Sequence, residues 1–388
     1  MRGVRTRTRT FVAVLGACLL LAPAADAGKR KVPQGFFGAN YSGEIENASL
    51  ELQKEAWNRL ASAGVESARV VFNWDMAQQT PVGPINWYRT DNAVRFATER
   101  HIQILPVVLY APEWAKRYHG HVDSPPAGTK NYTAFLGKLI DRYGPKGDFW
   151  KSNPDLPVRP LRIWQIWNEV DLQFQWYRKA DHWRPQDAAD YGKLLRASYT
   201  TIHHKDPKAK VMLSALAIDS WRILGELYKN GNIKGYFDVA APQVEAGDWH
   251  YLPTVLKRFR KVLNRHGAKK VPIWGTEFGW PASKKKDIHP GYDRGYMSGY
   301  FTTDKGMASR LRNGYTLLAK SKLRKKLKLQ RLMWFTAVSP YRGNFEYDYS
   351  GLLRQHGNAL SPKPAYSSYV NTARKLEGCS KNTHGRCR

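Results

Sequence analysis

Trp164-Gln165-Ile166-Trp167-Asn168-Glu169 and Ile273-Trp274-Gly275-Thr276-Glu277-Phe278-Gly279-Trp280 are apolar, β-prone runs that each deliver one glutamate beside small or polar residues. A carboxylate at the end of a buried strand is costly unless something uses it. Outward from these runs, strand-like and helix-like patterns alternate along most of the chain. They predict strands over 36–41, 68–74, 102–110, 161–167, 210–216, 237–241, 271–276 and 329–337. Helical periodicity falls between them, over 50–63, 90–100, 132–143, 187–203, 221–229, 253–264 and 307–319. Such alternation specifies an α/β fold with parallel strands. Its rhythm fits a (β/α)8 TIM barrel. A doubly wound nucleotide binder would need a glycine-rich turn after the first strand, and none is present. In a barrel the working groups sit where strands end and βα loops begin. Glu169 and Glu277 fall there, at the ends of the fourth and seventh predicted strands.

The two ends of the 388-residue chain read differently from its middle. Arg2, Arg5, Arg7 and Arg9 precede an apolar stretch over residues 11–22, and Ala25-Asp26-Ala27 has the form of a cleavage site. Residues 1–27 therefore read as a secretory signal peptide, with an apolar stretch too short to span a membrane. Leu15-Gly16-Ala17-Cys18 faintly resembles a lipoprotein box, although apolar residues continue past Cys18. Residues 28–32 are a basic segment, 33–376 the barrel and 377–388 a tail. In an exported chain Cys379 and Cys387 form an even pair, expected as a disulfide, with two free thiols as the alternative. No cysteine is left for a zinc site or a thiol nucleophile, and the histidines show no metal-ligand spacing. Neither a metal nor a cofactor is expected.

Formal net charge is +30. A field of that size concentrates polyanions, which outside a cell are acidic glycans, wall polymers and lipid headgroups; simple solubilisation is the alternative. The densest basic run, residues 320–328, falls between the seventh helix and the eighth strand, away from the working end. It reads as a solvated helix end or as an anchor for a polyanion.

Two carboxylates brought together by a fold are what glycoside hydrolysis uses. Asn168-Glu169 after a fourth strand, with Glu277 closing a seventh, resembles glycoside hydrolase clan A, the retaining (β/α)8 glycosidases. Thr276-Glu277-Phe278-Gly279-Trp280 is especially similar to the nucleophile segment of family 39 and its relatives. The resemblance covers roughly residues 33–372. It implies Glu169 as general acid/base and Glu277 as nucleophile, with carboxyl groups about 5–5.5 Å apart. It also implies Arg69 as the guanidinium against Glu277, and Asn168 as the partner of a sugar 2-hydroxyl. From the residues alone, Arg69 is an arginine in an apolar strand that needs a buried carboxylate, which a salt bridge elsewhere in the barrel mouth would also supply. Asn168 alone equally suits a turn cap.

Trp74, Trp114, Trp280 and Trp334 fall at or just after predicted strand ends and are expected as sugar-stacking faces, with core packing as the alternative. The resemblance places Trp334 under the bound sugar. Trp164 and Trp274 are expected between barrel and helices; Trp176, Trp183 and Trp249 suit a groove or the core. The chain departs from the family after the sixth strand. Where relatives carry His-Pro-Tyr, Gln243 and Glu245 hold the histidine and tyrosine positions. Glu245 would be a third carboxylate near Glu277, face a cationic sugar, or be neutralised by a cation such as His250. No C-terminal β-sandwich like that of family 39 xylosidases is expected. These features describe a secreted or wall-associated, monomeric, retaining β-glycosidase that cuts within a polysaccharide or cell-surface glycan. The alternative is a non-catalytic carbohydrate- or wall-binding protein on the same barrel. Nucleic-acid binding has only the charge behind it.

Overall fold

The computed structural model describes residues 29–41, 43–283, 295–340 and 346–379. The expected signal peptide and Cys387 lie outside the described residues. Seven strands form one parallel sheet: β1 Phe37–Tyr41, β2 Ser67–Asn73, β3 Gln103–Leu109, β4 Ile163–Ile166, β5 Lys210–Met212, β6 Ile273–Phe278 and β7 Leu329–Trp334. Their order is β5-β4-β3-β2-β1-β7-β6. The predicted sixth strand holds its place in the barrel without forming a regular ladder. It pairs only through the bridges Met212↔Val239, Leu216↔Pro242 and Ala240↔Ile273. Asp238 and Val239 both donate to Val211 O, which kinks the segment, and Pro242 has no N–H to give. These bridges join β5 to β6, and the result is a (β/α)8 barrel.

The surrounding helices are α1 Leu50–Ser62, α2 Tyr88–Glu99, α3 Thr129–Tyr143, α4 Pro185–Lys205, α5 Ser220–Asn230, α6 Leu252–Arg265, α7 Asp304–Leu318 and α8 Pro364–Glu377. α1 shows why they form. The Ser49 side chain accepts from Leu52 N, and Leu52, Ala56, Trp57 and Leu60 line its buried face at helical spacing. Between β7 and α8 a small sheet of β8 Val338–Ser339, β9 Leu353–His356 and β10 Ala359–Pro362 is inserted. Arg30, from the basic N-terminal segment, pairs with Glu66 at 2.8 Å.

The core has two parts. Leu105, Ile163, Met212, Val239, Ala241, Trp274 and Met333 form a small cluster inside the barrel, and a larger one fills the space between strands and helices. Trp164 belongs to the larger cluster, as expected. Trp274 does not: it joins the inner cluster, with Arg331 stacked 3.9 Å from its ring. Strand alternation fixes the neighbours. Met333 faces inward, so Trp334 faces the helices and Phe335 faces inward again. In β6, Gly275 pairs with Leu332 but Phe278 pairs with Trp334, three steps against two. That extra residue is a β-bulge, and it lets both Trp274 and Glu277 face the interior.

Candidate active site

A cavity of about 630 Å³ opens at the C-terminal end of the strands, and Arg69, Asn168, Glu169, Gln243, Glu245 and Glu277 all line it. Arg69, carried inward by β2, is only 6% exposed. Its Nε donates to Gln165 Oε1 at 2.9 Å, and its Nη1 donates to Asn40 Oδ1 and Glu277 Oε1, each at 2.8 Å. Nη2 donates to Asn168 Oδ1 at 2.5 Å. One guanidinium therefore ties β1, β2, β6 and the end of β4 together. A buried charge is tolerated when it is paired and bonded in this way.

Glu169 reaches the mouth because β4 stops at Ile166 and the backbone then turns. Trp167 and Glu169 take positive φ values of 64° and 43°, a conformation that side chains rarely adopt. The turn is held by Glu169 N donating to Ala215 O at 2.8 Å. Asn168 Nδ2 donates to Glu169 Oε2 at 3.1 Å, and Gln243 Nε2 donates to Glu169 Oε1 at 2.6 Å. Gln243 also favours the ionised form of Glu277.

The two glutamates have different surroundings. Burial, then the charge of Glu277 and then that of Asp171 hold Glu169 well above the usual carboxylate range. Burial raises Glu277 as well, but Arg69 pulls it back. A proton shared by this pair therefore resides on Glu169. Asp171, on the same turn, accepts from Ala217 N at 3.2 Å, and burial pushes it up to about 7. Glu245 is 7% exposed and accepts from the Tyr300 hydroxyl at 2.9 Å. Burial and the charge of Glu277 push it up to about 8. His250 does not neutralise it: that ring is exposed and bonds Asp248 at 2.8 Å, in the turn that leads into α6.

The tryptophans are placed otherwise than expected. Trp74, Trp280 and Trp334 are fully buried, and neither they nor Trp114 line the cavity. Their indole N–H groups donate within the fold, Trp280 to Ala246 O at 2.6 Å and Trp334 to Ser350 O at 3.1 Å. Trp74 packs on Trp114, Tyr132 and Phe135. Tyr110, Phe174, Phe335 and Tyr347 line the cavity instead. Trp176 is buried against Trp167 and Tyr191, Trp183 lies under Arg178, and Trp249 stacks on His250. Asn40 and Gln165 were missed, although polar residues inside buried strands carry the same signal that singled out Arg69. Tyr300 had no signal in the sequence. Cys379 is disulfide-bonded.

The chain matches a family 39 glycoside hydrolase from the gut symbiont Bacteroides cellulosilyticus WH2 with a TM-score of 0.62 and 16% identity, over 89% of this chain and 64% of that one. A β-xylosidase from Caulobacter crescentus CB15 matches at 0.60 and 14% identity, over 89% of this chain and 69% of that one. GH5_18 from Streptomyces cattleya, solved with GlcNAc, matches at 0.60 and 15% identity, over 92% and 83%. The fold is that of the clan A glycoside hydrolases. No protein-family model matches the chain, and no curated relative does. Among the described residues, no group of His, Cys, Asp or Glu is arranged to hold a metal ion. No helix among them is long and apolar enough to cross a membrane.

Proposed function

We propose that the chain is an exported, retaining β-glycoside hydrolase that cuts within a polysaccharide or cell-surface glycan by double displacement. One observation carries this reading: Arg69 bonds Glu277, while the groups that bond Glu169 are neutral amides. Two buried carboxyls in one cavity are thereby divided into a charged and a protonated member. Direct attack by the charged member needs carboxyls about 5–5.5 Å apart, closer than the spacing that admits a water between them.

Glu277 Oε2, the oxygen that Arg69 leaves free, attacks the anomeric carbon and forms a glycosyl ester. Glu169 passes its proton to the departing glycosidic oxygen, then takes a proton from the water that cleaves the ester. Both carboxyls return to their starting states. Asn168, fixed by Arg69, offers Nδ2 to the sugar. Glu245 works as a neutral acid: Tyr300 donates to Oε1, so the proton of Glu245 sits on Oε2, facing the cavity. Loops after β1, β2, β4 and β5 contribute to the lining, which suits a chain passing through. Tyr110, Phe174, Phe335 and Tyr347 supply the stacking faces.

The test is a panel of aryl β-glycosides together with a cyclophellitol probe, the label being located by peptide mapping. The expected result is turnover, with label on Glu277 that is absent in Glu277→Gln. The second reading, a non-catalytic glycan-binding barrel, is favoured by three buried carboxyls facing a single buried guanidinium. An inert protein that still retains glycans would establish it.

A further inference from the structure

The chain carries its excess charge unevenly. Residues 249–276 and 305–340 hold seven and ten lysines and arginines and no aspartate or glutamate. The fold brings the two runs together. α6 packs beside the short helix Ser321–Leu327, and Arg260 Nη2 donates to Leu327 O at 2.8 Å. Lys257, Lys261 and Arg265 are exposed along α6, and Lys322, Lys325 and Lys326 along the short helix. None of the six has an acidic partner among the described residues. On other units Arg95, Arg117, Arg142 and Lys205 each pair with an aspartate from another part of the chain.

This face lies at the base of the barrel, opposite the cavity. The short helix runs directly into the start of β7, and α6 is followed by Lys269 and Lys270 just before β6. Exposed cations without counter-charges build a local potential that a polyanion lowers by displacing condensed ions. No aromatic side chain is exposed over 252–270 or 320–331, so the face offers nothing on which the bases of a single strand could stack. We infer that this face docks an anionic polysaccharide, a chain bearing repeated carboxylates, and leaves the cavity free. Docking does not require catalysis, so its failure is distinguishable from failure of the glycosidase reading.

The experiment measures retention of the full chain on immobilised polygalacturonate and on neutral dextran from about 0.1 M to about 1 M salt, as the screening length falls from about 10 Å to about 3 Å. The variant Lys322→Glu/Lys325→Glu/Lys326→Glu is compared with Lys130→Glu/Lys138→Glu/Lys146→Glu, an equal charge change on the α3 side. Lys257→Gln/Lys261→Gln/Arg265→Gln supplies an independent lesion on α6. The expected result is salt-sensitive retention on polygalacturonate alone, weakened about tenfold by either basal variant and less than about twofold by the α3-side variant. Equal losses in all three variants, or retention indifferent to salt, would overturn the inference. So would tighter binding to duplex DNA than to polygalacturonate at the same salt, which would make the face a nucleic-acid surface.

Discussion

At the mouth of the barrel four glutamates, Glu46, Glu169, Glu245 and Glu277, line a cavity whose one buried guanidinium belongs to Arg69. At the base of the last two units, Lys257, Lys261, Arg265, Lys322, Lys325 and Lys326 are exposed and have no acidic partner among the described residues. The same chain is thus acidic where it is concave and basic where it is convex. Water makes the difference. At the mouth burial removes solvent, so each charge shifts its neighbour's protonation; at the base solvent screens the cations from one another. The mouth should answer to pH and the base to salt.

Substitutions that disturb only one end test this division. Glu277→Gln should have the largest effect, lowering kcat/KM on aryl glycosides by about 10⁴-fold or more. Glu169→Gln should cost about 10²–10⁴-fold with poor leaving groups and far less with a nitrophenolate, which needs no proton. Equal losses on both substrates would mean that Glu169 is not the acid.

Glu245→Gln acts on stability. The Glu245 carboxyl is raised from 4.5 to about 8 in the fold. Between those values the native chain keeps a proton that the unfolded chain has lost, so wild-type stability falls as pH rises through the window. Unfolding free energies from urea titrations should therefore shift in favour of Glu245→Gln by up to about 1.4 kcal/mol per pH unit. Parallel curves would show that Glu245 is ionised throughout. The smallest effect belongs to the base: Lys322→Gln/Lys325→Gln/Lys326→Gln should leave aryl-glycoside turnover within about twofold at any salt.

The barrel and its carboxylate pair were legible because apolar runs ending in glutamate combine two strong signals, burial and charge. Arg69 was legible for the same reason. The sixth barrel segment was less so, since Pro242 and the doubled contact at Val211 O break its ladder. Trp334 shows the limit of position without register. It sits at a strand end, yet alternation turns it toward the helices and gives the cavity to Phe335. Glu277 is the converse case. Strict alternation from Trp274 would send it outward, and only the bulge in β6, which no residue announces, brings it in. Tyr300 reaches Glu245 from a loop distant in sequence, a contact that follows from the closed fold alone.

Arg69 spends four of its N–H groups on Gln165, Asn40, Glu277 and Asn168. It thereby becomes a filter as well as a brace. A uronic acid at the cleavage point would bring a further carboxylate into a cavity that already holds Glu169, Glu245 and Glu277 and whose one buried guanidinium is committed. On the proposed reading, glucosides or xylosides are turned over and the matching glucuronides are refused; comparable rates on both would remove the filter. A polymer satisfying both ends of the barrel would then offer neutral sugars to be cut and acidic ones to be held.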